Sequence, residues 1–419
     1  MNVQNALKRL MEGHLAEALT FFQSEKWRNP CYGSLVNLAV AERANSLFHE
    51  ARNHFREAAI MERNRPEAWT GLGNIATDLG EFTEAVECFG TAATVCHLAR
   101  IPVPPTTVAL GLASSLMRIQ QFTTAWPLWE YGRQNQSWFI LPNTKPWRGE
   151  ETNCLLVVCE GGYGDAMLFG RWLPLAKSRC KKIKLLVWDR LVDWRDWQAM
   201  GVDEVLPKEQ PFSPEGIEYT TSWMSLPAVL GMKSIQDIPA DSLRNPLHDW
   251  PENSYDWTDH TLAIKRPEPE HKIGFCWRAE ENMQLRRTRS IPGTEAEKII
   301  ESLSSMGKVY SLLPKGQTLY RAASTADWPK NIIQDESLID GWARTNDFIR
   351  TLKLVVTVDT AVAHLAGLCG VPTMIILPLA SGWMWGVSGS ASWWYPGTQL
   401  LRNDHPSKWN IELINADAR

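Results

Sequence analysis

The chain has 419 residues, of which 44% are hydrophobic and 21% charged, with a formal net charge of -4. That length exceeds one typical domain, and the ordinary apolar and charged fractions suggest neither disorder nor membrane insertion. The near-neutral balance argues against a dedicated nucleic-acid binder, which usually carries a basic surface, while leaving room for a local basic groove.

The first residues form a polar amphipathic stretch rather than a basic segment leading into an apolar run, and no run of about eighteen apolar residues occurs anywhere. A cytoplasmic protein with no membrane span is the expectation. Next comes an internal period: Leu38, Phe48, Ala51, Phe55 and Ala58 align with Leu72, Phe82, Ala85, Phe89 and Ala92, 34 positions later. With Trp69, Gly73 and Gly80, this spacing resembles the tetratricopeptide repeat. Weaker units carry Gly13, Leu15, Ala18 and Phe22 on one side, and Leu112, Phe122, Ala125 and Trp129 on the other, after a Pro-containing insertion at 101–105. Four helix pairs are predicted. Ala51 and Ala85 let paired helices approach, and Phe55 and Phe89 fill the gap between neighbouring pairs. Such an array either presents a concave face to a protein or peptide or braces a neighbouring domain, and the pattern leaves both open.

After Pro146-Trp147-Arg148-Gly149-Glu150 the helical period gives way to short apolar runs. Residues 155–159 read as a buried strand, followed by a Gly-rich turn, a helix over 166–176, and strands at 184–188 and 204–206. A Pro-rich, charged stretch from about 241 to 271 reads as a linker, and strands resume at 273–277, 308–313, 332–333, 354–358 and 373–377. The predicted class is α plus α/β. Helical repeats cover 1–140, a Rossmann-like lobe 150–245, a linker 246–271, and a second Rossmann-like lobe 272–419. Ligand sites in such sheets lie at the carboxyl ends of the strands.

Two strand-to-helix turns are candidates for chemistry. In Glu160-Gly161-Gly162-Tyr163-Gly164-Asp165, three glycines permit positive φ and close approach of a ligand, and Asp165 is either a helix cap or a general base. The loop is neither a Walker A sequence nor a dinucleotide fingerprint. In the other turn, Val358-Asp359-Thr360-Ala361, a buried strand runs into a helix with Thr360 at the N-cap. This is an ordinary capped unit or an anion seat suited to a nucleoside diphosphate. His364, one turn on, is a buried structural histidine or a ligand contact. Arg278, Arg286, Arg287 and Arg289 form a cationic loop, suited to phosphate or merely solvated. The 21 Trp outnumber 12 Phe and 8 Tyr, and Trp383, Trp385, Trp393 and Trp394 gather in one loop, as sugar-stacking platforms or as packing. Eight scattered cysteines show no Cys-x-x-Cys pair and no zinc spacing, so reduced thiols and no metal are expected.

The first of these loops, followed by Phe169-Gly170-Arg171-Trp172-Leu173-Pro174, resembles the Glu-Gln-Gly-Leu-Gly-Asp and Phe-Ala-Arg-Tyr-Leu-Pro motif of tetratricopeptide proteins with a glycosyltransferase domain. These are relatives of the lipopolysaccharide heptosyltransferases of glycosyltransferase family 9. Ser225-Leu226-Pro227, Arg289-Ser290-Ile291-Pro292, the run from Val358 to Gly367, and Trp394-Tyr395-Pro396 match in order. The resemblance implies a GT-B fold and a metal-independent, inverting transfer of sugar from a nucleotide-sugar substrate, with no prosthetic group. It gives Asp165 the role of base, and it puts Asp359, Thr360, Ala361, His364, Lys315 and Arg289 on the donor. Gly162, Gly164, Trp383 and Trp385 fall to the acceptor or its loops. The acceptor implied is a protein or peptide held by the repeats, or a glycan; a modified nucleic-acid base is a further, less favoured, option. Gly382-Trp383-Met384-Trp385 replaces the family's Asp-Trp-Arg-Trp, Pro314 replaces Gln before Lys315, and Trp277-Arg278-Ala279-Glu280 replaces Trp-Ser/Ala-Gly-Asn. The alternative reading is therefore a catalytically degenerate scaffold that binds a partner or nucleotide without turnover.

Overall fold

The computed structural model describes residues 1–99, 106–133, 141, 143–240, 271–279, 289–313, 329–406 and 408–409. Lys315, Arg286, Arg287, the insertion at 101–105 and nearly all of the predicted linker lie outside them.

The N-terminal region is helical: α1 (Val3–Met11), α2 (Leu15–Arg28), α3 (Tyr32–Ala44), α4 (Phe48–Met61), α5 (Pro66–Asp78), α6 (Phe82–Leu98), α7 (Thr106–Arg118) and α8 (Phe122–Arg133). Each packs on the next. The turns after α1, α3, α5 and α7 reverse through one left-handed residue, Gly13, Ser46, Gly80 and Gln120, with φ of 90°, 62°, 75° and 62°. Phe55 and Phe89, both buried, wedge between neighbouring pairs where facing helices carry glycine. A Cβ on Gly71 would overlap the Phe55 ring, and Cβ atoms on Gly73 and Gly111 would fall 2.9 and 2.5 Å from the Phe89 ring. Spacing and packing therefore agree on a stacked helical array, while the tetratricopeptide assignment remains a resemblance of pattern.

Two all-parallel sheets follow. The first contains β1 (Lys145–Pro146), β2 (Thr152–Val158), β3 (Cys180–Val187), β4 (Glu204–Pro207) and β5 (Tyr219–Ser222), in the order β1-β5-β2-β3-β4. The second contains β6 (Lys272–Cys276), β7 (Lys308–Ser311), β8 (Leu354–Val358), β9 (Thr373–Leu377) and β10 (Thr398–Arg402), in the order β10-β9-β8-β6-β7. Connecting helices include α9 (Tyr163–Phe169), α10 (Leu173–Lys177), α11 (Leu226–Val229), α12 (Gly293–Ser304), α13 (Trp342–Ile349) and α14 (Ala361–Leu368). Every residue of β8 and β9 is buried, as expected of central parallel strands covered on both faces. The predicted strands at 354–358 and 373–377 coincide with β8 and β9. The run at 332–333 makes only a bridge from Ile333 to Tyr310. The predicted helix over 166–176 is broken into α9, a 3-10 turn at Gly170–Trp172 and α10. Strands β1, β5 and β10 went unrecognised in the sequence.

One hydrophobic core runs through both sheets and into the last helix pair. Trp383, from the loop after β9, meets Phe122 and Trp126 of α8 at ring-centroid distances of 6.4 and 6.1 Å. The α5–α6 turn touches the same loop, since a Cβ on Gly80 would stand 2.9 Å from Leu379. Arg118 of α7, buried, donates from Nη2 to the Ser381 carbonyl at 2.8 Å. Arg133 at the end of α8 forms a buried ion pair with Glu160 at the carboxyl end of β2. The helical array is thus joined to both lobes. No helix among the described residues is long and apolar enough to cross a membrane, and all eight cysteines are free thiols.

Candidate active site

Strand order locates the site before any side chain is considered. In the first sheet the chain runs outward from β2 through β3 and β4, then returns to the other side of β2 at β5. In the second it runs from β6 to β7 and returns to the other side of β6 at β8. Diverging connections leave a crevice at the carboxyl ends of the strands where the direction reverses. The loop from Glu160 to Asp165 leaves β2 at one such point, and the turn from Asp359 to Ala361 leaves β8 at the other. The helices that follow, α9 and α14, pack against each other, so the two crevices face one another.

Glycine makes this approach close. A Cβ on Gly164 would fall 2.9 Å from His364 Cδ2 and 3.4 Å from the Ala361 backbone, so any other residue would push the helices apart. Gly161 adopts φ of 73°, turning the loop so that the Gly162 N–H donates to Asp165 Oδ2 at 2.7 Å. Asp165 therefore does close its own turn, as the capping reading expected. Burial pushes its carboxyl pKa up, and the nearby Asp359 charge adds to this; the Gly162 N–H, Arg289 and Arg133 oppose it. A carboxylate poorly compensated for lost water is a stronger base than an exposed one. Capping and proton abstraction are compatible, because only Oδ2 is used by the turn.

Glu160, 2% exposed, anchors the loop from below. Ser222 Oγ and Arg133 both engage its carboxylate, and Trp223 Nε1 donates to its carbonyl at 2.9 Å. Glu130 and Ser225 extend the network, with Ser225 Oγ donating to Glu130 at 2.9 Å.

Across the crevice, Thr360 has the extended φ of -142° of an N-cap, but its hydroxyl lies 3.2 Å from that of Thr357 and does not cap α14. The dipole end of α14 thus lacks a side-chain cap from Thr360. Asp359 is 8% exposed and His364 4%. Burial pushes the His364 imidazole down to about 4, against the opposing pull of Asp359. At neutral pH it is an uncharged ring. Its Nδ1 lies 2.8 Å from the Tyr395 hydroxyl, and its face stacks on Trp385 at 5.1 Å. Arg289, half-buried, bears electrostatically on both Asp165 and His364. Its Nε has no hydrogen-bond partner among the described residues. The loop carrying it is tied to the end of β6, with Ile291 N–H donating to the Trp277 carbonyl at 2.8 Å. Among the described residues no group of three or more His, Cys, Asp or Glu has the arrangement of a metal site.

No family model matches the chain, and no curated protein matches it. Among solved structures, ADP-heptose lipopolysaccharide heptosyltransferase II of E. coli is similar at 16% identity and a TM-score of 0.39, covering 63% of this chain and 98% of that one. The glycosyl transferase family 9 protein of Veillonella parvula is similar at 12% identity and a TM-score of 0.38, covering 62% of this chain and 89% of that one. An O-GlcNAc transferase of Thermobaculum terrenum is similar at 11% identity and a TM-score of 0.34, covering 99% of this chain and 88% of that one. All three likenesses are remote, and they leave donor, acceptor and chemistry to the residues of this chain.

The structure brings Gly162, Gly164, Asp165, Arg289, Asp359, Thr360, Ala361 and His364 to the two facing turns. The tryptophans lie differently. Trp383 is 6% exposed and enclosed by Phe122, Trp126, Phe169 and Trp394, so its ring is a joint between the helices and the second lobe rather than an open platform. Trp385, 1% exposed, is covered by His364 and Tyr395. Their apolar surface was satisfied by the fold itself, which composition cannot foresee. Arg133, Arg171, Glu160 and Tyr395 were given no role from the sequence. The signal was present for three of them, since Glu160, Arg171 and Tyr395 sit inside the quoted motifs. Arg133 becomes visible only when α8 meets β2.

Proposed function

We propose that the chain is a glycosyltransferase that moves a sugar from a nucleoside-diphosphate donor to an acceptor hydroxyl without a metal ion. One observation carries this reading: two βα turns at the switch points of separate parallel sheets face each other, one bearing the desolvated Asp165 and the other an uncapped helix start beside Arg289 and His364. Asp165 takes the proton of the acceptor hydroxyl as its oxygen attacks the anomeric carbon. The bond from that carbon to the diphosphate breaks in the same displacement, so configuration inverts. Charge appearing on the leaving diphosphate is met by the N-terminal end of α14, by Arg289 and by Lys315, with Asp359, Thr360 and Ala361 shaping the donor side. Gly162 and Gly164 leave room for the acceptor. The acceptor is a protein or peptide held by the repeats, or a glycan; the last two helix pairs brace the lobes, which leaves α1 to α4 to hold a polypeptide.

The test is a panel of nucleoside diphosphates and their sugars, read by thermal shift and then by sugar-nucleotide hydrolysis. Stabilisation by one nucleoside diphosphate, persisting in a chelator, is the expected result. No stabilisation by any of them would sink the reading.

A further inference from the structure

Three side chains behind the crevice form a chain of contacts that donor binding does not account for. Tyr395, 2% exposed, lies flat against α14 at Gly367, where a Cβ would overlap its ring. From there its hydroxyl reaches His364 Nδ1 at 2.8 Å, one helical turn earlier on the same face. Arg171, also 2% exposed, places its guanidinium carbon 5.1 Å from the Tyr395 ring centroid. The guanidinium is fixed by the Leu168 carbonyl at 3.1 Å and the Trp394 carbonyl at 3.2 Å. The opposite edge of the imidazole, Cδ2 and Nε2, faces Gly164 across the crevice, 2.9 and 3.6 Å from where a Cβ on that glycine would stand.

We infer that Tyr395 is a positioning residue: its hydroxyl donates to His364 Nδ1, which fixes the proton on Nε2 and makes His364 a neutral hydrogen-bond donor aimed into the crevice at an anionic oxygen of the bound nucleotide. The polarity follows from acid and base strength. A phenol, with an ordinary pKa of about 10, is a much stronger acid than a neutral imidazole N–H, and an imidazole nitrogen is a better acceptor than a phenol oxygen. The Arg171 charge strengthens the phenol as donor and opposes a second proton on the ring. Asp359 pulls the other way, and Arg289 adds to the effect of Arg171. Burial settles the balance toward the uncharged imidazole. A neutral donor held in one tautomer meets an oxygen of the leaving group with no reorganisation.

The identification of the anion rests on the proposed function, whereas the tautomer does not, so the two are measured separately. The 419-residue chain, which has 9 histidines, is labelled with 15N-histidine and examined by long-range 1H–15N correlation at neutral pH, with His364 assigned from its missing signals in His364→Asn. The expected pattern is a pyridine-type Nδ1 and a pyrrole-type Nε2. Tyr395→Phe keeps the ring on Gly367 and is expected to convert this into an averaged or reversed pattern. A pyrrole-type Nδ1 in the wild type, or an unchanged pattern in Tyr395→Phe, would overturn the inference. Calorimetric titration with ADP, UDP and GDP then reads the crevice side, where Tyr395→Phe is expected to weaken the best ligand roughly tenfold. Unchanged affinity despite an altered tautomer would remove the ligand-facing role. Failure of the wild type to bind any of the three would instead remove the proposed function, with the tautomer result standing on its own.

Discussion

At the scale of single residues, the pKa values of the two ionisable side chains that face each other move in opposite directions, each away from the charged form, and each shift has a stability consequence. Burial raises the Asp165 pKa, so the folded state favours its protonated form, and its contribution to stability is lost as pH rises through the raised value. Asp165→Asn keeps an acceptor for the Gly162 N–H and removes the desolvated charge. The variant is expected to melt higher than wild type at neutral pH, with the difference vanishing as pH falls into the ordinary carboxylate range, while turnover drops about 100-fold or more. Paired melting curves and initial rates check this; a variant with full turnover would end the assignment of Asp165 as base. His364 behaves conversely. With its folded pKa pushed down to about 4 from an ordinary 6.5, its stabilising contribution is present above 6.5 and lost as pH falls toward 4. The window is worth about 3 kcal/mol, and His364→Gln is expected to show a shallower fall in urea-unfolding stability across it. Gly382 and Met384 pack as a unit beside Asp359. A Cβ on Gly382 would overlap the Met384 sulfur and lie 3.4 Å from Asp359 Oδ2, so Met384 fills the space that a side chain at 382 would need.

At the scale of elements, the turns between helices show how far local chemistry was legible. Gly13 and Gly80 stood in the sequence pattern only as repeat positions, and both prove to be left-handed helix stops. Ser46 and Gln120 occupy equivalent turns with the same sign of φ, which an L side chain adopts at a cost. Ser46→Gly is expected to stabilise the helical region by about 0.5–1 kcal/mol, measured as a shift in urea midpoint; no gain would mean that the Ser46 side chain holds the turn. Strands were legible where they carry apolar runs. The apolar runs of β8 and β9 announce themselves, but β5 is Tyr219-Thr220-Thr221-Ser222, whose Tyr and Thr favour strands without forming an apolar run. Its hydroxyls are buried because neighbours supply partners: Thr220 Oγ1 donates to Thr144 at 2.9 Å, and Ser222 engages Glu160. Half of the first switch point therefore rested on an element invisible to periodicity.

At the scale of the whole molecule, the helical array and the lobes share one core and two buried arginines. Arg133 is the more testable link, because its loss would leave Glu160 charged and buried beneath the Gly161 to Asp165 loop. Arg133→Met is expected to cost about 3–5 kcal/mol, and adding Glu160→Gln should recover most of it, since the penalty is that of an unpaired charge. Denaturant midpoints of the single and double variants check the prediction; equal losses in both would place the effect in packing instead. This coupling favours bracing as a role for the last helix pairs, an option the repeat pattern had left level with partner binding.

The sequence by itself determined a stacked helical region, the existence of parallel sheets and the two turns that carry Asp165 and Asp359. These depend on periodicity, glycine placement and strand-to-helix transitions, all of which are local. Only the tertiary structure decided that the turns face one another, that Trp383 and Trp385 are packing, and that Tyr395 and Arg171 stand behind His364. Those facts depend on strand order and on which buried polar atoms meet across elements far apart in the chain, and no local pattern encodes either.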